Sequence, residues 1–174
     1  MNKKILVIGT LAFDSIQTPS INSGLILGGA ATYISFAISK ISNNFGIVSV
    51  VGDDFPLEYL NRIKSTGADI SGVDIVKNEQ SFFWSGKYHA DINKRTTLDT
   101  KLGVLENFNP VIPKKFTDSN IVLLGNLHPS VQNKSINQLL GKNQFLILDT
   151  MNFWMDNNLE DLNKVISKVN LISI

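Results

Sequence analysis

Short, uninterrupted apolar runs recur along this chain and stop abruptly. Ile5-Leu6-Val7-Ile8 ends at Gly9, Ile47–Val51 ends at Gly52, and Ile121–Leu124 ends at Gly125. Phe145–Leu148 ends at Asp149, and Leu171–Ile174 closes the sequence. Runs of this length with no polar alternation suit strands buried on both faces, as in a parallel sheet. Parallel neighbours need a crossover, and helical patterns lie between the runs. Ala31–Ile41 places Ile34, Ala37, Ile38 and Ile41 on one expected stripe. A second helix is expected after Asp54 as cap, with Pro56 in its first turn, Leu57, Leu60 and Ile63 inward, and Gly67 at its end. Ser130–Leu140 and Leu159–Val169 supply two more. Strand–helix alternation predicts an α/β fold: a mainly parallel sheet with helices on both faces.

One stretch breaks this rhythm. Residues 80–100 have no helical period, are rich in aromatics and threonine, and carry Gly86 in the middle. Two or three antiparallel strands fit them better. Residues 15–27 also read as extended. Together the two segments predict a small sheet standing off the main one.

The 174 residues suit one domain, with 43% hydrophobic and 18% charged residues. Such a chain is globular rather than disordered. A net charge of +1, with no basic run longer than a pair, gives no reason to expect nucleic acid or an anionic membrane as partner. Absence of cysteine removes disulfides, thiolate zinc and a cysteine nucleophile. No segment reaches the roughly 20 apolar residues of a membrane helix. The run after Lys3-Lys4 is too short for a signal peptide. The expectation is a soluble cytoplasmic protein.

Polar residues just beyond the expected strands are the candidates for chemistry, because open parallel sheets bind ligands there. Asp14 lies five residues past Gly9. A carboxylate offers only acceptors and so matches the two donors of a diol; a turn-forming or capping Asp is the alternative. A dinucleotide fingerprint is excluded, since Gly9 has no partner glycines at the required spacing. Gly28-Gly29 opens a helix and would let a ligand approach main-chain N–H groups, although an ordinary turn also satisfies the spacing. No Gly-Lys-Ser/Thr follows, so it is not a nucleotide P-loop. Thr32, in that helix's first turn, could cap or touch ligand. Phe82, Phe83, Trp84 and Tyr88 form an expected aromatic cluster, with Phe82, Trp84, Gly86 and Tyr88 on one strand face and Lys87, His89 and Asp91 on the other. It is either the core of a small sheet or a cover over ligand. Asn126, Asp149 and Asn152 follow two other strands and reach the same edge. His89 and His128 have no metal-site spacing, so no metal ligand is assigned.

In this order the motifs resemble those of the ribokinase-like (PfkB) carbohydrate kinases. VGTLAFD carries Asp14 where the family places its substrate-binding Asp. LGGAATYISFAISKIS resembles the glycine-pair motif, followed by GIVSVVGD. PLEYLNRIKSTGADISGVDIV resembles the family's helix and Gly-x-Asp turn, FFWSGKYHADINKRTTLDT its lid strands, and LILDTMNFW the strand and turn before the ATP half. Many members carry Asn where Thr32 stands, a departure that bears on substrate choice; the GGxATY form is itself family-like. The resemblance implies a three-layer α/β/α core with a small β lid, formed by segments 15–27 and 79–100 within a single domain over 1–174. It implies ATP-dependent phosphorylation of a hydroxyl on a sugar or nucleoside, with Mg²⁺, and Asp14, Gly28, Gly29, Thr32, Trp84, Tyr88, Asn126, Asp149 and Asn152 around the acceptor. A homodimer pairing through the lid is a further implication.

The family's Gly-Ala-Gly-Asp run, which supplies the anion hole and catalytic base, is not in this sequence. Its Asn-x-x-Glu motif is expected just after Ile174. The expectation is therefore the N-terminal, acceptor-binding part of a longer kinase, with no catalytic base of its own and no strong ATP or Mg²⁺ site. Leu171–Ile174 reads as an interior strand left without a neighbour, which fits a chain missing its C-terminal part. The alternative is a non-catalytic sugar-binding or dimerisation module on the same fold.

Overall fold

The computed structural model describes residues 3–174. Ten strands are distributed between two sheets. The first sheet has six strands: β1 (Ile5–Ile8), β4 (Phe45–Gly52), β5 (Ala68–Val76), β8 (Ile121–Leu124), β9 (Phe145–Asp149) and β10 (Leu171–Ser173). Their order is β10-β9-β8-β1-β4-β5, and each neighbouring pair runs parallel.

The continuous apolar runs explain the layers. Successive side chains of a strand point to opposite faces. Ile5 and Val7 therefore face one way, with Phe45, Ile47 and Val51, against Ala31 and Ile38 of α1 (Ala30–Ile38) and Leu60 and Ile63 of α2 (Leu57–Lys64). Leu6 and Ile8 face the other way, with Val48, Val50, Val122, Leu124 and Leu148. There they meet Leu162 and Val165 of α5 (Leu159–Ile166), residues beside α3 (Pro129–Ile136), and the segment carrying Val104, Phe108, Ile112 and Phe116. Both faces are covered, which gives the expected three layers.

The second sheet has four strands: β2 (Ala12–Gln17), β3 (Asn22–Gly28), β6 (Phe83–Tyr88) and β7 (Arg95–Lys101), in the order β3-β2-β6-β7. The β2–β6 pair is parallel and its flanks are antiparallel. Phe13 of β2 anchors it to the core, its ring 5.3 Å from Phe55 and 6.2 Å from Tyr59. Ser81 fastens the entry to β6: its hydroxyl accepts from Gly52 N–H, and its own N–H and O–H donate to Asp54.

Several expectations are corrected. The helix expected over 31–41 stops at Ile38, so Ile41 leaves the stripe and is exposed; the inward face is Ala31, Thr32, Ser35 and Ile38, and Ala37 is exposed. Asp54 does not cap α2. Its carboxylate is occupied by Ser81, and the helix starts after Pro56. Leu57 is exposed while Leu60 and Ile63 are buried, because a three-residue step turns about 60° short of a full circle and walks off the face. The alternation expected for the aromatic segment holds: Trp84 lies over Gly86, and Phe83 faces the other way, against the core. The helix expected over 130–140 ends at Ile136. Strand β5 and the short helix α4 (Asn152–Asn157) were not anticipated. The last strand pairs with β9 alone and is an edge, with Leu171, Ile172 and Ile174 exposed.

Candidate functional site

The turn between β1 and β2, the end of β3 and the start of α1 converge at the carboxyl edge of the parallel sheet. Asp14 sits on β2, opposite Ile26 of β3 and Trp84 of β6. Its side chain lies directly over Gly28, where an added Cβ would come within 2.1 Å of the carboxylate carbon. Gly28 therefore serves as the seat of Asp14. Gly29 holds a φ of 92°, a region that L side chains avoid, and a Cβ there would stand 2.4 Å from the Thr10 carbonyl.

The first N–H groups of α1 have no partner within the helix. Here they are taken locally. Gly29 N–H faces the Asp14 carboxylate and holds its pKa down. Ala30 N–H donates to Thr10 Oγ1 at 2.9 Å, and Ala31 N–H to the Thr10 carbonyl at 3.0 Å. A ligand thus meets the Asp14 carboxylate at the helix start, with the Ala30 and Ala31 N–H groups already taken by Thr10. Burial pushes the Asp14 carboxyl up from its ordinary value, and the Gly29 bond only partly offsets this.

Thr32 is buried, and its hydroxyl donates to the Gly28 carbonyl at 2.7 Å. That bond ties the helix to the end of β3. Tyr33, the next residue, is 53% exposed. Burial of its phenol, together with the nearby Asp14 carboxylate and Tyr88, raises its pKa. Tyr33 closes the GGxATY stretch but was given no role from sequence. Tyr88 and Trp84 lie on the same face of β6 as each other. Trp84 is partly committed elsewhere: its Nε1–H donates to Thr97 Oγ1 at 3.4 Å and the Arg95 guanidinium lies 5.2 Å over its ring.

A second cluster follows β8 and β9. Asn126 N–H donates to Asp149 Oδ2 at 3.2 Å, and its side-chain oxygen accepts from Trp154 Nε1–H at 2.8 Å. Asn126 Nδ2 faces Met151 Sδ at 3.0 Å. Burial raises the Asp149 pKa, countered in part by Asn126. Gln132, fully buried, donates to the carbonyls of Gly125 and Asp149 at 2.8 and 3.0 Å and so clamps the two strand ends together. Asn152 is exposed at the start of α4. The two clusters flank the start of α1, where Gly125, Gly9 and Ala30 are in close contact. Among the described residues no three His, Asp or Glu side chains gather as a metal site. Asp149 is a lone carboxylate at its strand end, so these residues do not by themselves fit a Mg²⁺ centre. No helix among them is long and apolar enough to cross a membrane.

No family model matches the sequence. A curated protein described as a cytidine kinase, from Thermococcus kodakarensis, is 28% identical over 139 residues, covering 79% of this chain and 49% of that protein. A nucleoside kinase of Methanocaldococcus jannaschii, described as an archaeal member of the ribokinase family, superposes with a TM-score of 0.76 at 23% identity, over 98% of this chain and 60% of that one. The nucleoside kinase of Burkholderia thailandensis in complex with inosine gives 0.78 at 17% identity, over 97% and 59%. The chain carries the ribokinase-like α/β fold, as its motifs imply. It spans about half the length of the curated relative it matches.

Proposed function

We propose that this chain is the acceptor-binding part of an ATP-dependent kinase that phosphorylates a hydroxyl of a nucleoside or sugar. The observation that carries this is Asp14: a partly desolvated carboxylate seated on Gly28 at the start of α1. A carboxylate so held accepts hydrogen bonds from two hydroxyls with little reorganisation, and the resemblance in fold to kinases of nucleosides supports that use. Thr32 acts behind the site by holding Gly28 in place, and Trp84 and Tyr88 wall it.

Phosphoryl transfer depends on positioning and on stabilising charge around the transferred group. In this reading the chain fixes the acceptor hydroxyl and shields it from water through the small sheet. ATP, when bound, supplies the phosphoryl group. In this reading Asp149, Asn126 and Asn152, beyond the ends of β8 and β9, complete the surroundings of the acceptor. No Gly-Ala-Gly-Asp run is present, and the reading gives none of these residues the role of proton acceptor. The open edges β3 and β7 are where a second copy would pair.

Calorimetry with a panel of nucleosides and sugars tests the binding claim. A ligand of the wild-type chain should lose at least tenfold in affinity with Asp14→Ala; equal affinity would refute the role. Incubation of the same chain with ATP and each ligand should give no phosphorylated product. Turnover would overturn the assignment of the catalytic base outside these residues.

A further inference from the structure

The carboxyl ends of β8 and β9 are tied together by side chains. Gln132, fully buried on α3, spends its amide protons on the carbonyls of Gly125 and Asp149, at 2.8 and 3.0 Å. Gly125 N–H donates in turn to the Ile8 carbonyl at 2.7 Å, which ties the end of β8 to β1. Asn126 N–H donates to Asp149 Oδ2 at 3.2 Å. The backbone at Asn126 is therefore fixed, and the freedom left is the direction of its side-chain amide. Trp154 Nε1–H lies 2.8 Å from Asn126 Oδ1. An indole nitrogen only donates, so the atom facing it must be the amide oxygen and not the amide nitrogen. Nδ2 is thereby turned toward Met151 Sδ, at 3.0 Å, and the second of its two protons has no partner among the described residues. The Trp154 ring is held by edge contacts with His128 and Phe153, at 5.1 and 4.9 Å between centroids.

We infer that Trp154 is a positioning residue that locks Asn126 as a hydrogen-bond donor, beside Asp149 as acceptor, for a ligand hydroxyl at this strand end. This rests on the reading of the ends of β8 and β9 as part of the acceptor site. Asn126 and Asp149 are both half-buried, so each keeps a side toward solvent. Asp149 Oδ2 takes the Asn126 N–H, and Oδ1 has no donor among the described residues. The spare amide proton and the spare carboxylate oxygen are of opposite kinds. A hydroxyl carries one proton and two lone pairs, and so satisfies both. A phosphate, with acceptors alone, would meet Asp149 as a like charge. If the amide turned over, Asn126 would offer a second acceptor next to Asp149, and the hydroxyl would lose its donor. Turning it over would also set Nδ2 against the indole N–H, two donors with no acceptor between them, and leave both unsatisfied. Trp154 thus acts through Asn126, without touching the ligand.

The bond and its use are tested separately on the whole chain. Trp84 and Trp154 are the two tryptophans, so the protein gives two indole N–H signals in NMR, and Trp84→Phe tells them apart. In the wild type the Trp154 proton should exchange with solvent about tenfold more slowly than that of Trp84, whose Nε1–H has only a 3.4 Å contact on the exposed side of the small sheet. In Asn126→Ala this protection should be lost. Equal exchange of the two indoles, or a rate that Asn126→Ala leaves unchanged, overturns the inference. Calorimetry with cytidine, inosine and ribose then compares the wild type, Trp154→Phe, Asn126→Ala, the double variant and Asp14→Ala. Trp154→Phe keeps an aromatic ring toward His128 and Phe153 and removes the donor. It should weaken the best-bound probe about fivefold, and Asn126→Ala about tenfold. In the Asn126→Ala background Trp154→Phe should cost nothing further, because the amide it orients is gone. An equal cost in both backgrounds means that Trp154 acts through packing, and overturns the inference. Wild-type affinity in Asn126→Ala also overturns it, while loss of binding in Asp14→Ala leaves the acceptor site standing. If Asp14→Ala binds as well as wild type, or no probe binds the wild type, both readings are overturned.

Discussion

The two sheets of this molecule are built on opposite terms. Every residue of β4, in the large sheet, is buried, and every residue of β7, in the small one, is exposed. The large sheet has helices on both faces and its central strands are almost wholly apolar. The small sheet is held to the body by a few contacts, chiefly Phe13 against Phe55 and Tyr59 and the Ser81–Asp54 bonds. Stability should reside in the first and adaptability in the second. Asp14 stands at the junction: its strand belongs to the small sheet, while Gly28, Gly29 and the start of α1 lock it to the large one.

The sharpest way to break this contrast is to cut equal volumes from each sheet. Leu148→Ala, at a fully buried position of β9, should cost about 2–5 kcal/mol in urea denaturation. Leu98→Ala, half exposed on β7, should stay within about 0.5 kcal/mol. Comparable losses would mean that the small sheet is as integral as the large. The junction should be intermediate. Gly29→Ala meets both a positive φ and the Thr10 carbonyl, so it should lose about 1–3 kcal/mol together with ligand affinity.

A smaller effect separates support from contact. Thr32→Val removes the bond to the Gly28 carbonyl and should cost about 1 kcal/mol. Its effect on affinity should be less than that of Asp14→Ala, because the hydroxyl is committed inward. An affinity loss equal to that of Asp14→Ala would make Thr32 a ligand contact. The smallest effect concerns pH. Burial raises the Asp14 pKa above its ordinary 3.8, so between 3.8 and the raised value the folded chain holds more protons than the unfolded one. Stability contributed by Asp14 therefore falls as pH rises through that window, and at neutral pH its charge is a cost. Asp14→Asn should raise the melting temperature slightly at pH 7 and abolish ligand binding. A lowered melting temperature would reverse this sign.

Much of the large sheet was legible in the sequence, because runs such as Ile5–Ile8 and Ile121–Leu124 have no polar interruption and admit few other placements. β5 was not, because Asp69, Ser71, Gly72 and Asp74 interrupt it, as an edge strand tolerates. Helix stripes misplaced Leu57 and Ile41, since periodicity does not say where a helix stops or which turn faces out. At the site, Asp14 and the glycine pair were legible from their position after strands. Their relation was not: that Gly28 seats the carboxylate is a contact between two strands, set by register.

Hydrogen exchange with and without a saturating ribonucleoside tests the central claim most directly. Amides of β2, β3, β6 and residues 28–33 should gain protection, while those of β1 and β4, already slow, should not change. Protection confined instead to another concavity, such as the roughly 340 Å³ cavity lined by Val50, Asp74, Glu79 and Asn107, would contradict the placement of the acceptor at Asp14.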